Sequence, residues 1–313
     1  MPEPSIPMLT GDPSPATIHT VLAERGALLL RDPQRSAAEF AAIGDALMTA
    51  VPYANGLHDE RDVVSADATT TTVTRGLAGM PLHREASYAP GSPDVLTFMC
   101  VRPADDGGAT TLCDGVELLA ALPRPVRAEF EDMHLVWEST LEPERWHRMF
   151  GTTDRDEVVA AIRQWEPYLR PWEGIGARFT AAGALTTWFR TRCTPPTYFG
   201  GEPAFCNSLL ISRPGEDEYQ EQRLSVRTGT GDRVPEELIV EVATAASDRT
   251  FAVPWQAGDV LVVDNSRYLH GRQAFQDPGR SVLVRMGLFG QPAEEGVDPG
   301  SRPESEREGE DPA

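Results

Sequence analysis

Three residues of this 313-residue chain have the types and the spacing of a metal-binding set. His83 and Glu85 are two positions apart, and His270 lies far downstream. In an extended segment, side chains two positions apart point to the same face, so His83 and Glu85 can chelate one ion. Two imidazoles and one carboxylate form the facial triad of non-heme Fe(II) oxygenases. These residues therefore predict an iron site.

Each part of this set also has a purely structural explanation. A histidine beside a glutamate is common on protein surfaces, and on a helix the two side chains would diverge. His270 follows the apolar run 260–263, where a histidine just past a buried strand can be an ordinary hydrogen-bonded residue. The metal site therefore requires a fold that brings the segments around His83 and His270 together.

Two arginines in or beside the last predicted strand, 281–288, have the chemistry to bind an anionic cosubstrate. Arg280 and Arg285 follow His270 by ten and fifteen positions. A buried arginine is costly unless it meets a carboxylate, and bidentate pairing with a dicarboxylate satisfies it. The glycine pair at 107–108 predicts a tight turn, and the nearby hydroxyl of Thr110 can complete the hydrogen bonds of the same carboxylate.

The apolar pattern predicts a β-rich core surrounded by helices. Buried strands are predicted at 27–31, 94–102, 110–113, 204–211, 259–264 and 281–288, and helices at 14–25, 36–50, 115–122, 125–133, 153–164 and 235–247. A closed or sandwich-like sheet brings distant strands side by side. We expect one domain over residues 1–290, with a helical insert at about 115–200, and a disordered acidic tail over 291–313.

The composition argues against several classes of partner. A formal net charge of -20 disfavours binding to nucleic acid or to an anionic membrane. No apolar run reaches about 18 residues, so no transmembrane helix is predicted. The first residues lack the basic start and apolar stretch of a signal peptide, and we expect a cytoplasmic protein. The four cysteines form no CxxC pair, which favours buried apolar roles over metal binding.

Taken in order, these motifs resemble one enzyme family. The motifs are HxE at 83–85, GGxT at 107–110, WQAGD at 255–259, DN at 264–265, HGR at 270–272 and an arginine at 280. They resemble the TauD/TfdA group of Fe(II)/2-oxoglutarate-dependent dioxygenases. They most resemble its SyrP-like and clavaminate-synthase-like branches, which act in natural-product pathways and carry Glu in place of Asp. The resemblance covers roughly residues 27–288.

The resemblance implies a fold, a set of iron ligands and a cosubstrate. The implied fold is α+β and mainly β, with a double-stranded β-helix (jelly-roll) core and flanking and inserted helices. His83, Glu85 and His270 would hold Fe(II), and 2-oxoglutarate and O2 would be consumed. Related halogenases lack the carboxylate ligand, so Glu85 implies hydroxylation or another oxidation without halide incorporation.

The resemblance also implies that Thr110 and Arg280 bind the distal carboxylate of 2-oxoglutarate. The family usually places two arginines four positions apart on its final strand, whereas Arg280 and Arg285 are five apart. In an extended strand that spacing puts them on opposite faces. We therefore expect Arg280 to face the cosubstrate, with Arg285 as the alternative if a β-bulge intervenes.

The substrate is less well defined by the sequence. Residues 51–81 lack a strong period and are either a substrate-side loop or a plain connector. Candidate substrate contacts are Arg75, Tyr88, His147 and Asn207, each of which can equally be a loop or packing residue. Arg272 is a candidate for orienting the site. The branch resemblance favours a small molecule, either an amino acid or a product derived from one, free or tethered to a carrier protein.

Two other classes of protein remain as alternatives. A cupin-like metal oxygenase that uses no 2-oxo acid would keep the three ligands but would not need Arg280. A non-catalytic β-sandwich binding protein would be expected to lack one ligand, and no ligand is missing here.

Overall fold

The computed structural model describes residues 6–52, 61–211 and 224–289. The strands are β1 Met8–Thr10, β2 Ala27–Arg31, β3 Thr49–Ala50, β4 Thr71–Thr72, β5 Met80–His83, β6 Val95–Arg102, β7 Thr110–Asp114, β8 His134–Leu141, β9 Gly174–Phe179, β10 Leu185–Arg192, β11 Leu224–Thr228, β12 Phe251–Ala252, β13 Val260–Asp264, β14 Tyr268–Arg272 and β15 Ser281–Leu288. The helices are α1 Pro15–Arg25, α2 Ala37–Leu47, α3 Gly115–Ala121, α4 Arg124–Asp132, α5 Pro143–Phe150, α6 Arg155–Arg163 and α7 Glu236–Arg249, with a 3-10 turn at Glu166–Tyr168. The predicted acidic tail at 291–313 lies outside the described residues.

Two sheets form the core of the described fold, as the predicted jelly-roll requires. The large sheet has the order β1-β2-β13-β6-β15-β3, with β4 also paired to β15. The small sheet has the order β12-β7-β14-β5. Apolar side chains from both sheets pack together, including Leu29, Phe98, Leu112, Leu261 and Tyr268. The prediction of a mainly β, α+β fold is confirmed.

Alternation along the central strands explains how the large sheet is covered on both faces. In β13, Leu261 and Val263 join the core between the sheets. The intervening Val260 and Val262 pack on the opposite face with Phe40 of α2. Because successive side chains of a strand point to opposite faces, a strand that is apolar throughout must be covered on both sides.

A third sheet, with the order β11-β8-β10-β9, lies within and beside the segment predicted as a helical insert. Its Leu135, Trp137 and Phe189 share a core with Leu118 of α3 and Leu238 of α7. The insert therefore holds three strands as well as α3 to α6. The prediction of an all-helical insert is wrong, since it overlooked the alternating pattern of β8 and β10.

The predicted start and end of the first helix are confirmed. Ser14 caps α1 by accepting a hydrogen bond from the Thr17 N–H, and Gly26 ends it in the left-handed conformation. The predicted strand at 204–211 is wrong. There the Asn207 side chain accepts a hydrogen bond from the Leu209 N–H at 2.9 Å, and this local bond stabilises a turn instead of a strand. None of the helices in the described ranges is long and apolar enough to span a membrane.

Candidate metal centre

Neighbouring strands of the small sheet bring the two histidines together. β5 and β14 pair antiparallel, and the register places His270 directly opposite His83. β14 is held on its other side by β7, where His270 is opposite Leu112. His270 thus follows β13 in the chain, as the sequence indicates, and also lies inside a strand of its own, β14. The two histidines are therefore next to each other, as a shared metal site requires.

His83, Glu85 and His270 converge into one compact cluster. One donor atom from each lies within 4.8 Å of the other two. The two imidazole centroids are 4.2 Å apart, and the His270 Nε2 atom is 3.7 Å from a Glu85 carboxylate oxygen. Both histidines are buried, and the Glu85 side chain is 17% exposed. Two imidazoles and one carboxylate at this separation fit a divalent cation of the iron, manganese or cobalt type.

The ring of His83 is oriented by its own backbone neighbourhood. Its Nδ1 atom is 2.9 Å from the Pro81 carbonyl oxygen, which fixes the tautomer with the proton on Nδ1. The Nε2 atom is then available as a metal ligand. Burial, together with the nearby His270, lowers the pKa of His83 to about 3. The imidazole is therefore neutral near pH 7, which is the form that binds a metal.

Asn265 fixes the position of Glu85, which lies beyond the end of β5. The Asn265 side chain accepts a hydrogen bond from the Glu85 N–H at 3.0 Å and donates to the Glu85 carbonyl at 3.1 Å. It also donates to the Pro93 carbonyl at 2.7 Å. Ala86 follows with a φ of 52°, a left-handed conformation in which the chain turns away. Glu85 lies in a turn, so the bonds from Asn265, and not the predicted pleat of an extended segment, direct it to the histidines.

Replacing Asn265 with alanine is expected to lower both stability and metal affinity. The substitution leaves the backbone groups of Glu85 and the Pro93 carbonyl without their partners, at a cost of about 2–4 kcal/mol in the free energy of unfolding. Arg35→Met is the control, since that buried side chain also donates to backbone carbonyls, those of Leu30 and Gly258, but does not line the pocket. Denaturant unfolding and Co²⁺ titration should show both variants destabilised and only Asn265→Ala weakened in Co²⁺ binding. Equal Co²⁺ affinities would contradict this role of Asn265.

A residue absent from the predicted site, Arg61, pairs with Glu85. The Arg61 Nη2 atom donates to both carboxylate oxygens, at 3.0 and 2.9 Å. Burial alone raises the pKa of Glu85, but the charge of Arg61 and the hydrogen bond to His270 outweigh it, so the net pKa lies well below the usual range. Arg61 lies in the aperiodic stretch 51–81, where the sequence carries no spacing signal for it.

The two residues predicted to bind the cosubstrate lie on the same pocket as the cluster. Arg280 and Thr110 line it together with His83, Glu85 and His270. Arg280 is partly buried and donates from Nε to the Gly108 carbonyl at 2.6 Å. Burial, with a smaller effect of nearby Arg272, lowers the pKa of Arg280 to about 10, so the side chain is charged near pH 7. Within the described ranges no carboxylate pairs with Arg280, which leaves its remaining N–H groups for an anionic ligand.

Thr110 has a hydroxyl proton available for the same ligand. Its Oγ1 atom accepts a hydrogen bond from the Trp255 indole N–H at 3.1 Å. Because that bond uses a lone pair, the hydroxyl hydrogen remains free to donate to a carboxylate. Trp255 belongs to the WQAGD motif, which thus contributes to the pocket by orienting Thr110.

The glycine pair of the GGxT motif is required by this geometry. Gly107 and Gly108 have φ values of 69° and 64°. A Cβ on Gly108 would lie 2.9 Å from the Arg280 side chain, and one on Gly107 would lie 2.3 Å from the Ala274 carbonyl oxygen. The predicted tight turn therefore joins β6 of the large sheet to β7 of the small sheet, and its Gly108 carbonyl is the acceptor that orients Arg280.

Arg285 lies on the opposite face of β15 from the pocket. Its guanidinium donates to the hydroxyls of Thr69 and Thr70 at 3.0 and 2.8 Å and pairs with Asp45 of α2. A β-bulge does lie between the two arginines, at Ser281 and Val282, but its extra residue is Val101 of β6, so the alternation along β15 is unbroken and Arg285 faces away from the cluster. The alternative assignment of Arg285 to the cosubstrate is contradicted by this placement.

The four predicted substrate contacts do not line the described pocket. Arg75 is exposed and pairs with Asp62. Tyr88 stacks edge-on with Trp137, and His147 packs against Trp146 on α5. Asn207 is buried and bonded to the Cys193 carbonyl. The four side chains thus have contacts outside the described pocket, and the structure does not support substrate roles for them.

The pocket has an apolar wall that the sequence did not single out. Val73, Met80 and Phe98 line it, and the Phe98 ring lies 5.7 Å from the His270 ring between centroids. Arg272 also lines it, with its guanidinium bonded to the carbonyls of Thr74 and Ala78 at 2.6 and 2.9 Å. Arg272 thus anchors the stretch that follows Arg61. Phe98 lies in a predicted strand, but only the packing of the sheets shows which face it occupies.

A jelly-roll with a His-Glu-His cluster and an adjacent, partly buried arginine defines a metal-dependent oxygenase of the 2-oxo-acid type. Comparison with known proteins agrees with this class. The family model described as taurine catabolism dioxygenase TauD, TfdA family, matches residues 5–286. A clavaminate synthase-like protein of Arabidopsis thaliana is 27% identical over 86% of this chain and 83% of its own length. The dapdiamide synthesis protein DdaC of Enterobacter agglomerans is 23% identical over 86% and 84%.

A solved structure shows the same fold. The crystal structure of AAD-2 in complex with Mn(II) and N-oxalylglycine superposes with a TM-score of 0.54, covering 92% of this chain and 96% of that one, at 13% identity. The chain belongs to the TauD/TfdA family. It is an Fe(II)/2-oxoglutarate-dependent dioxygenase, and its His83, Glu85 and His270 donors fit the metal on which that chemistry depends.

Proposed function

We propose that this dioxygenase hydroxylates an unactivated C–H bond of an amino acid or of a small natural-product intermediate derived from one. The observation that carries the proposal is the complete ligand cluster, in which Glu85 stands beside both histidines. Two of the relatives are a clavaminate synthase-like protein and a dapdiamide synthesis protein, which supports a natural-product setting. A carboxylate in the ligand set supports oxygen insertion without halide incorporation.

In this proposal His83, Glu85 and His270 hold Fe(II), and Arg280 and Thr110 bind the distal carboxylate of 2-oxoglutarate. A guanidinium forms charge-assisted, geometrically defined bonds with a carboxylate, and the Thr110 hydroxyl adds a further donor. The bound iron, together with 2-oxoglutarate and O2, supplies the oxidising chemistry. A metal held by these three protein donors would still be able to bind a small cosubstrate.

The remaining contribution of the protein is positioning and water exclusion. Met80, Phe98 and Val73 present apolar surface to the pocket beside the cluster. An apolar wall shields reactive species from water and holds a C–H bond close to the metal. The Pro81 carbonyl keeps the His83 ring in the ligand orientation, and Asn265 does the same for Glu85.

The alternatives of a cupin-like oxygenase and a non-catalytic binding protein receive less support. An oxygenase without a 2-oxo acid has no use for Arg280, which the fold nonetheless places partly buried at the pocket. A binding protein has no use for three convergent metal donors. For partners we propose a small molecule, free or carrier-tethered, and neither nucleic acid nor membrane, which the net charge of -20 disfavours.

Incubation with candidate substrates tests the proposed reaction. Protein loaded with Fe(II) and 2-oxoglutarate in air should convert at least one amino acid, or one amino-acid derivative, to a product heavier by one oxygen atom, with matching succinate. Mass spectrometry of a panel of such compounds measures both, and His270→Ala should form neither product. Succinate release without oxygen gain by any compound of this class would contradict the substrate assignment, and a gain of chlorine would contradict the role given to Glu85.

A further inference from the structure

A second cleft lies on the third sheet, and it shares no lining residue with the pocket at the metal cluster. Its volume is about 260 Å³, whereas a water molecule occupies about 30 Å³ in the liquid. The cleft therefore has room for a small organic molecule and not only for a single ion. Its lining residues are His134, Pro171, Trp172, Glu173, Arg190 and Arg192.

The pairing of β10 with β8 places three basic side chains at this cleft. Arg190 and Arg192 are two positions apart on β10, so they point to the same face of the sheet, and both are exposed. Arg192 lies directly opposite His134 of β8. Partial burial, together with the charges of the two arginines, lowers the pKa of His134. Because like charges at neighbouring positions of a sheet destabilise it, this arrangement is unfavourable until an anion lies between them.

Acidic side chains do not neutralise this group, although the chain has 48 acidic residues and only 28 arginine and lysine residues. In the part of the chain that the structure describes, neither Arg190 nor Arg192 forms an ion pair with a carboxylate. Glu173 lines the cleft, but its carboxylate accepts a hydrogen bond from the Arg170 N–H at 3.0 Å. The two guanidinium groups therefore remain available to a ligand.

Trp172 gives the cleft an aromatic wall. The guanidinium carbon of Arg192 lies 5.3 Å from the centroid of the Trp172 ring, within the range of a cation–π contact. This contact restricts the long arginine side chain, which reduces the entropy lost when it binds a ligand. The Trp172 and Pro171 rings also offer apolar surface to the organic part of a ligand.

We propose that this cleft binds a small organic phosphate monoester, with the phosphoryl group at Arg190, Arg192 and His134 and the organic part against Trp172. A phosphate monoester carries a charge of roughly −1.5 to −2 at pH 7, which matches two guanidinium groups, whereas a monocarboxylate matches one. Guanidinium groups also form bidentate, charge-assisted bonds with phosphate oxygens. This second site is additional to the metal centre, and it does not depend on the substrate of the proposed function.

Calorimetric titration of the full chain with phenyl phosphate tests the proposed site. The protein should hold Co²⁺ and saturating 2-oxoglutarate, so that the anion site at Arg280 is already occupied. Phenyl phosphate should then bind at one site. Inorganic phosphate, which lacks the ring, should bind about threefold or more weakly, and benzoate, which lacks the second charge, about tenfold or more weakly.

Variants of the cleft locate this binding. Replacing both Arg190 and Arg192 with methionine keeps their apolar stems and should weaken phenyl phosphate binding by about tenfold or more. Arg178→Met is the matched control, because this exposed arginine of the same sheet pairs with Glu138 at 2.8 Å, and its loss should leave the affinity unchanged. Trp172→Leu should bind phenyl phosphate no more tightly than inorganic phosphate. Thermal unfolding checks that each variant is folded.

Four results would each overturn the proposed site. They are no binding of either phosphate by the wild type, an unchanged affinity in the double variant, an equal loss in Arg178→Met, and benzoate binding as tight as that of phenyl phosphate. An equal loss in Arg178→Met would show general attraction to positive charge, and tight benzoate binding would show that the cleft does not select phosphate. None of these results bears on the metal cluster, because the cleft and the metal pocket have no residue in common.

Discussion

Replacing Glu85 with alanine is expected to abolish product formation. The substitution removes the carboxylate donor of the cluster and leaves only the imidazoles of His83 and His270 to hold the cation. Loss of a residue that only hydrogen-bonds to a metal ligand weakens metal binding by roughly 10- to 100-fold. Loss of a ligand itself should therefore weaken Co²⁺ binding by more than about 100-fold. Co²⁺ titration and succinate formation measure the two effects. Glu85→Asp, which keeps a carboxylate, should retain part of both.

Glu138→Ala is the matched control for this loss. Glu138 also pairs with an arginine, Arg178, but at the surface of the third sheet and away from the pocket. Exposed ion pairs contribute about 1 kcal/mol or less, so this variant should keep wild-type turnover. Product formation at the normal rate by Glu85→Ala would show that Glu85 is not a ligand, and the function proposed from the cluster would fail with it.

Replacing Arg280 with alanine is expected to raise the dissociation constant for 2-oxoglutarate by about 100-fold. Truncating one partner of a buried, hydrogen-bonded charge pair costs about 2–5 kcal/mol, and 1.4 kcal/mol is a factor of ten. Arg280→Lys should recover only part of this, since an ammonium lacks the planar fork of the guanidinium. The measurement is a titration of 2-oxoglutarate into protein that already holds Co²⁺, so that metal binding is not limiting.

Arg285→Ala provides the control for the Arg280 variant. Arg285 bonds to Thr69, Thr70 and Asp45 on the far face of β15, so its loss should lower thermal stability and leave 2-oxoglutarate binding within about twofold of the wild type. Titration well below the unfolding temperature of both variants separates the two effects. A larger loss of 2-oxoglutarate affinity in Arg285→Ala than in Arg280→Ala would reverse the assignment of the two arginines.

The parts of the fold that depend on local pattern were predictable from the sequence. Alternation and apolar runs indicated β2, β6, β13 and β15, and Ser14 and Gly26 marked the ends of α1. The five-residue spacing of Arg280 and Arg285 correctly indicated that they face opposite sides of the last strand. These features could be predicted because each depends only on which way successive side chains point along a single helix or strand.

Features that depend on contacts between distant segments were not predictable in the same way. The pairing of β5 with β14, which places His270 opposite His83, is a property of the folded sheet. The sequence showed only that a shared metal site would need the two histidines to be close together. Asn265 was visible in the DN motif, but its bonds to the backbone of Glu85 could be seen only in the folded chain. Arg61 belongs to no motif and to no periodic pattern. Its contact with the Glu85 carboxylate is visible only in the folded chain.

The most direct test of the central claim is the absorption spectrum of the protein with Fe(II) and 2-oxoglutarate in the absence of oxygen. Chelation of the metal by the 2-oxo acid at the His83, Glu85 and His270 cluster should give a weak visible charge-transfer band. Admission of air should then discharge the band with formation of succinate. A spectrum without this band, together with no succinate in air, would contradict the assignment of the cluster as the iron and 2-oxoglutarate site.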